Sequence, residues 1–202
     1  MQTAYVGMGS NLDSWAGSPE TTMAAAVARL EVLGRVVARS SLYSTEPVGF
    51  ADQPRFLNAV VELETELDPR ALLEGLLQIE KKFGRDRSAG VRNGPRTLDL
   101  DILVFGDLSI NEPGLEIPHP KMAERSFVVI PLAEVAGKEQ AAGRPKIVLE
   151  LLRTFLERPR DSNDAVVPVQ STVWGTGACG SDCDPADASR AGAGRADPHD
   201  RR

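Results

Sequence analysis

The 202-residue sequence is poor in aromatic residues, which make up 5% of it, and has only two cysteines, Cys179 and Cys183. Both cysteines lie in a Gly- and Asp-rich stretch near the C-terminus, without the neighbouring ligands that would complete a zinc site. No apolar run approaches the roughly 18–20 residues of a membrane helix. The opening Met1-Gln2-Thr3-Ala4-Tyr5 has neither the basic n-region nor the apolar h-region of a signal peptide, so a cytoplasmic protein with no membrane partner is expected. A surplus of positive charge is also missing. Lys and Arg total 23 against 29 Asp and Glu, a net −6, which argues against a surface built throughout for nucleic acid. Any anionic ligand must therefore find a local basic patch. What is present, 42% hydrophobic and 26% charged residues, is the composition of a folded globular protein of one domain plus some excess.

That excess lies at the C-terminal end. Residues 1–158 are read as the domain, and 159–202 as a low-complexity, disordered tail whose few large apolar residues allow a short extended piece at Val166–Trp174. Within the domain, Thr3–Met8 reads as a strand leaving into Gly9-Ser10-Asn11. Ser18-Pro19-Glu20 opens a helix with Met23, Ala26, Val27, Leu30 and Leu33 on one stripe. Val36–Tyr43 and Phe56–Glu64 are strand-like, and Asp68-Pro69 opens a second helix ending at Gly84. After the polar loop Arg85–Arg96 comes a strand, Thr97–Phe105, then a hairpin-like stretch and helical patterns near Met122–Val135 and Ile147–Glu157. The order βαββαβ, with an added hairpin and C-terminal helices, predicts an α+β sandwich of ferredoxin-like type with helices on one face of its sheet.

The strongest chemical signal is Gly94-Pro95-Arg96-Thr97-Leu98-Asp99-Leu100-Asp101-Ile102-Leu103. Carboxylates two apart on a strand share one face, about 6.5–7 Å apart along the backbone, close enough to share divalent cations. Taken alone, Asp-x-Asp is equally an acidic exposed face. The adjoining stretch shifts the balance: Lys81, Lys82, Arg85, Arg87, Arg92 and Arg96 stand against Asp86 only, a local reversal of sign suited to phosphates. His119 lies between Pro118 and Pro120, which fix the backbone around it. Asn58, near Phe56, could present its amide to a heterocycle edge. No Walker-type phosphate loop occurs.

These residues, Arg92 aside, sit within five segments that resemble, in order, the 6-hydroxymethyl-7,8-dihydropterin pyrophosphokinase family: 4–12, 42–65, 79–87, 94–103 and 117–135. The resemblance spans roughly residues 2–157. It implies transfer of pyrophosphate from ATP to the dihydropterin's hydroxymethyl group in tetrahydrofolate biosynthesis, by a usually monomeric protein. Asp99 and Asp101 resemble the ligands of two Mg2+ ions, and Arg85 and Arg96 the catalytic arginines. Glu80, Arg87, Arg96, Ile102, His119 and Arg125 are similar to ATP-site positions. Thr45, Val48, Phe56, Asn58 and Phe127 resemble the pterin pocket. Three positions depart from frequent family residues: Asn93 stands for a tryptophan, and Phe56 and Pro120 each for a tyrosine. The competing readings are a two-metal nucleotidyl transferase or cyclase, a small-molecule-binding regulatory domain and, more weakly, a nucleic-acid module, for which one basic loop and few aromatics are a poor basis.

Overall fold

The computed structural model describes residues 1–87, 93–137, 145–157 and 165–175. Its strands are β1 (Gln2–Ser10), β2 (Arg35–Arg39), β3 (Leu42–Thr45), β4 (Phe56–Thr65), β5 (Asp99–Phe105), β6 (Ile110–Glu112), β7 (Leu115–Ile117) and β8 (Val167–Val169). The helices are α1 (Pro19–Leu30), α2 (Pro69–Lys82), α3 (Ser126–Gly137) and α4 (Lys146–Leu156). The two helix starts read from sequence are capped as expected. Ser18 accepts from the Thr21 N–H, Asp68 from that of Ala71, and each is followed by proline at the first helical position.

Six strands form the main sheet in the order β5-β1-β4-β3-β8, with β2 beside β3 on the same flank of β4, while β6 and β7 make a separate hairpin. The single strand expected over Val36–Tyr43 is two. At the break, Ser40 is fully buried; its N–H donates to Val60 O at 2.9 Å and its hydroxyl accepts the Val60 N–H at 3.0 Å. A side chain thus substitutes for one rung of the ladder, and the chain steps from one pairing to the next without leaving a buried polar group unsatisfied.

The helices also divide differently from expectation. α1 and α2 pack Met23, Leu30, Leu72, Leu76 and Phe83 on one face of the sheet, against Val6, Val61, Leu63 and Leu100. α3 and α4 cover part of the opposite face, where Val128, Leu132, Val135 and Val148 join Tyr5, Val60, Leu103 and Val104 in a second core. Apolar residues at alternate strand positions on that face would otherwise meet water, which is the physical reason the added helices dock there.

Of the stretch read as a tail, residues 165–175 are described. The short extended piece expected at Val166–Trp174 is present: β8 pairs antiparallel with β3, and Trp174, 3% exposed, donates its Nε1–H to Ser40 O at 2.7 Å. A single indole supplies apolar area that a count of sparse hydrophobic residues underweights. The cysteines and Arg92 lie outside the described residues.

Candidate functional site

The face covered by α3 and α4 is apolar at one end only. Along β1 the residues on this face are Tyr5, then Gly7 and Gly9; along β4, Val60, then Asn58 and Phe56. Register places Gly9 between Asn58 and Asp99, and Gly7 between Val60 and Asp101. The side-chain row therefore runs from an amide across bare backbone to the carboxylates. A Cβ on Gly9 would stand 3.4 Å from Asn58 Oδ1 and 3.7 Å from Asp99 Cβ, so the glycine keeps the floor between them low. Two glycines at alternate positions of a strand mark missing side chains on one face. That was the available signal in the sequence, and reading Gly9 only as the start of a turn passed over it.

Asp99 and Asp101, both half-buried, look into a cavity of about 440 Å3 walled by Arg85, Arg87, Arg96, His119 and Arg125. A narrower hollow of about 40 Å3 runs along the strands to Asn58 and Phe127. A third, of about 280 Å3, lies toward the β6–β7 hairpin, between Ile102, Leu115 and Pro120. Asp101 and His119 line all three. The His119 N–H bond to Leu103 O at 2.9 Å, just beyond the cis Ile117–Pro118 bond, holds His119 there.

The arginines reach this centre from the end of α2 and the start of β5. Arg85 Nη1 donates to Leu98 O at 2.9 Å and to Asp99 Oδ1. Arg96 Nε lies 2.9 Å from Asp99 Oδ2 as an ion pair, although its N–H is not aimed at that oxygen. Arg87 makes two bonds of 2.8 and 2.9 Å to Glu80. Glu80 itself is 1% exposed, and its Oε1 also accepts the Leu100 N–H at 2.8 Å. Burial pushes its carboxyl up while Arg85, that amide and Arg87 oppose the shift, so it is a buried joint between α2, β5 and two arginines. Expected from the resemblance at the ATP site, Glu80 lines none of the three hollows.

Burial, and then the Asp99 charge, pushes the Asp101 carboxyl above its ordinary range. Burial pushes the His119 imidazole below its ordinary range, while Asp101 opposes the shift. Its Nδ1 accepts the Lys121 N–H at 3.2 Å, which assigns the ring proton to Nε2.

The residues expected at a heterocycle pocket divide. Asn58 is 8% exposed, and its amide N–H donates to the buried Thr45 Oγ1 at 2.8 Å. Phe56 and Phe127 flank this end of the row, but Arg96 lies over the Phe56 ring at 4.7 Å and Arg125 over that of Phe127 at 5.6 Å. Val48 is 65% exposed in the loop after β3 and lines none of the three hollows. Ile102, on the opposite parity of β5 from the carboxylates, reaches only the hollow by the hairpin. Asn93, one of the departures, adopts φ 59° and lines the large cavity.

Sequence reasoning missed Asn11. Its side chain, in a residue 3% exposed, accepts the Arg96 N–H at 2.8 Å and donates to Gln53 Oε1 and Pro54 O, each at 3.0 Å. Only its place beside Gly9 and Ser10 at a strand end hinted at such a role.

No helix among the described residues is long and apolar enough to cross a membrane. Among solved structures, an HPPK–DHPS structure in complex with substrates aligns with TM-score 0.57 at 15% identity, over 77% of this chain and 43% of that one; at such identity it shows the fold alone, and this chain spans less than half of that structure. Similar sequences include the 2-amino-4-hydroxy-6-hydroxymethyldihydropteridine pyrophosphokinases of Bacillus subtilis, 48% identical over 65% of this chain and 77% of the relative, and of Haemophilus influenzae, 41% identical over 78% and 95%. Residues 5–137 match the family described as 7,8-dihydro-6-hydroxymethylpterin-pyrophosphokinase (HPPK). They include both aspartates, the site arginines and His119, and the chain belongs to that family.

Proposed function

We propose that this chain transfers a pyrophosphoryl group from ATP to the hydroxymethyl oxygen of 6-hydroxymethyl-7,8-dihydropterin. The family match and the names of its relatives support pyrophosphate transfer in folate biosynthesis. The observation that carries the finer reading is the meeting of three hollows at Asp101 and His119. The arginine-walled cavity suits the triphosphate. The hollow by Ile102 and Pro120 suits the adenine; the one by Asn58 and Phe127, about 40 Å3 with Arg96 and Arg125 at the rings, is assigned to the pterin once those side chains move aside.

In this assignment the alcohol oxygen bonds to the β-phosphorus. The bond from that phosphorus to the oxygen bridging it to the α-phosphate breaks, AMP leaves, and the alcohol proton is released. Two Mg2+ ions held by Asp99 and Asp101 would polarise the phosphate oxygens and neutralise their charge. The donor set fits such ions. Among the described residues no group of three His, Cys, Asp or Glu could hold a metal by itself, and magnesium commonly takes one or two carboxylates and completes its shell with phosphate oxygens and water.

Arg85, Arg87 and Arg96 meet the charge of the transferred group. Arg96 and Arg125 cover the Phe56 and Phe127 rings, so pterin stacking requires those guanidiniums to leave the ring faces, and the neighbouring phosphates give them a destination. Asn58 Oδ1, beside Gly9, can accept from a heterocycle N–H. With Nδ1 accepting the Lys121 N–H, His119 presents its Nε2 edge to the cavity, which suits it to donate to a phosphate.

The test is product analysis with magnesium, ATP and the dihydropterin. AMP formed one for one with pterin diphosphate, with no free pyrophosphate, is expected. Free pyrophosphate would indicate nucleotidyl transfer, and ADP would indicate transfer of a single phosphoryl group; either overturns the assignment.

A further inference from the structure

The segment that carries Arg85, Arg87 and Arg96 is gripped at both ends by one short loop, residues 11–18, which joins β1 to α1. At the entry side, Trp15 Nε1 donates to Lys82 O at 2.8 Å, on the last residue of α2, and its ring stacks on Phe83 with centroids 5.3 Å apart and planes at 15°. Phe83 is itself 1% exposed, so Trp15 lies against a fixed wall although its own outer face is in water. Immediately beyond, Gly84 turns the chain at φ +84°, and Arg85 donates its N–H to Glu80 O at 3.1 Å.

At the exit side, the backbone N–H groups of Asn11 and Leu12 both donate to Arg96 O, at 3.0 and 3.2 Å, while the Asn11 side chain accepts the Arg96 N–H. The loop is stiff enough to serve as a reference. Ser14 and Gly17 exchange backbone hydrogen bonds of 2.9 and 3.0 Å, and the Ser14 hydroxyl lies 2.7 Å from that of Thr22 on α1.

We propose that loop 11–18 is a positioning element for phosphate binding, Trp15 setting Arg85 and Asn11 setting Arg96. Neither residue touches the reacting atoms. Each acts through the arginine whose backbone it holds, because small displacements of a preorganised guanidinium weaken its grip on charge out of proportion to the distance moved. Loss of Trp15 frees the C-terminal turn of α2 at the Gly84 pivot. Loss of Asn11 frees the start of β5 together with its contacts to Gln53 and Pro54.

The inference rests on the assignment of the arginine-walled cavity to the ATP phosphates, so the test reads ATP binding separately from turnover. Dissociation constants for Mg-ATP are measured by calorimetry in two double-mutant cycles on the full chain, Trp15→Leu with Arg85→Ala and Asn11→Ala with Arg96→Ala. Each outer substitution is expected to weaken Mg-ATP binding about fivefold or more in the native background and less than about twofold once its arginine is gone. Trp15→Phe, which keeps the stack and removes the N–H, should give a smaller loss. Asn11→Asp, which keeps the acceptor for the Arg96 N–H, should recover part of the affinity and serves if Asn11→Ala fails to fold.

Equal fold-losses in both backgrounds, the signature of general loosening, would overturn the proposal, as would unchanged affinity in Trp15→Leu and Asn11→Ala. Wild-type protein that binds Mg-ATP but forms no pterin-dependent AMP would overturn the functional assignment alone, and the two cycles would still decide the roles of Trp15 and Asn11.

Discussion

Tyr5 and Gly9 stand on the same face of β1, two alternate positions apart, and their surroundings differ almost completely. Tyr5 is fully buried in the core made with α3 and α4, whereas Gly9 floors a hollow walled by Asn58, Asp99 and Asp101. The strands are shared, although the β1–β5 register shifts by one residue between Tyr5 and Val6, and what changes most is the side chains that β4 and β5 present. Where β4 and β5 offer Val60, Leu103 and Val104, burying apolar area draws helices onto the sheet. Where they offer Asn58, Asp99 and Asp101, a covering helix would have to desolvate carboxylates without pairing them, at a cost of several kcal/mol each. The open site is thus the part of the face that its own chemistry keeps uncovered.

The sharpest way to break this contrast is to remove the charge. Asp99→Ala or Asp101→Asn should lower turnover by at least about a hundredfold, the scale seen when a preorganised electrostatic contact is deleted. The fold should survive. Asp101 binds its proton more tightly folded than unfolded, because burial and Asp99 raise its carboxyl above the ordinary 3.8. Its contribution to stability is complete below that value and is lost as pH rises through the folded-state titration. In chelator at neutral pH, Asp101→Asn should therefore melt no lower than wild type, and a pH series of melting curves shows whether its advantage disappears in acid. Near-normal turnover at saturating magnesium would contradict the assignment of this end of the face.

The covered half responds in the opposite way. Leu132 is fully buried where α3 meets the sheet, and Leu132→Ala should cost about 2–5 kcal/mol by chemical denaturation, the usual range for a leucine truncated in a core. Turnover per folded molecule should stay close to wild type. A fall in turnover with little loss of stability would show that α3 shapes the site and does more than cover apolar strands.

Gly9→Ala probes the border from the open side. The new methyl would meet Asn58 Oδ1 and Asp99 Cβ at ordinary contact distances, so stability should change little. It would nevertheless raise the floor on which the heterocycle is assigned to lie. A severalfold higher KM for the dihydropterin with an unchanged KM for ATP is expected, and equal increases in both would shift the pterin to another hollow.

Most of the frame was legible from local signals, and the failures have physical causes. Ser18-Pro19 and Asp68-Pro69 start helices through caps that act within one turn, so the sequence shows them directly. The Asp99–Asp101 pair and its arginines were legible because two-residue spacing on a strand fixes a common face. The placement of α3 and α4 on the second face was not, since it depends on which half of three separate strands is apolar. The enclosure of Glu80, given to the nucleotide by the resemblance, by two arginines and an amide was not legible, because those contacts come from the loop after α2 and from β5 and leave no trace in its spacing along α2. Asn11 and Trp15 act across 85 and 67 residues of sequence, distances at which periodicity carries no information.

The seam between the two halves gives the smallest expected effect. Glu134, on α3, accepts from the Ser41 N–H at 2.7 Å, the Ser41 hydroxyl at 3.0 Å and the Tyr43 hydroxyl at 2.9 Å, and Tyr43 pairs in register with Asn58. The edge of the cover is therefore tied to the strand position next to the open row. Burial, then the hydrogen bond and charge of Glu134, push the Tyr43 phenol from 10.0 up to about 12. A group raised in this way lends stability that is complete below pH 10.0 and is lost as pH climbs toward about 12. Tyr43→Phe should cost about 0.5–1.5 kcal/mol at neutral pH, the net worth of one hydrogen bond, because Glu134 keeps its two bonds to Ser41. Denaturant unfolding of both proteins across the alkaline range should show that difference shrinking above pH 10.0. A difference that stays constant through the phenol titration would mean that Tyr43 holds the seam by packing, with its hydroxyl contributing nothing to where the cover ends and the site begins.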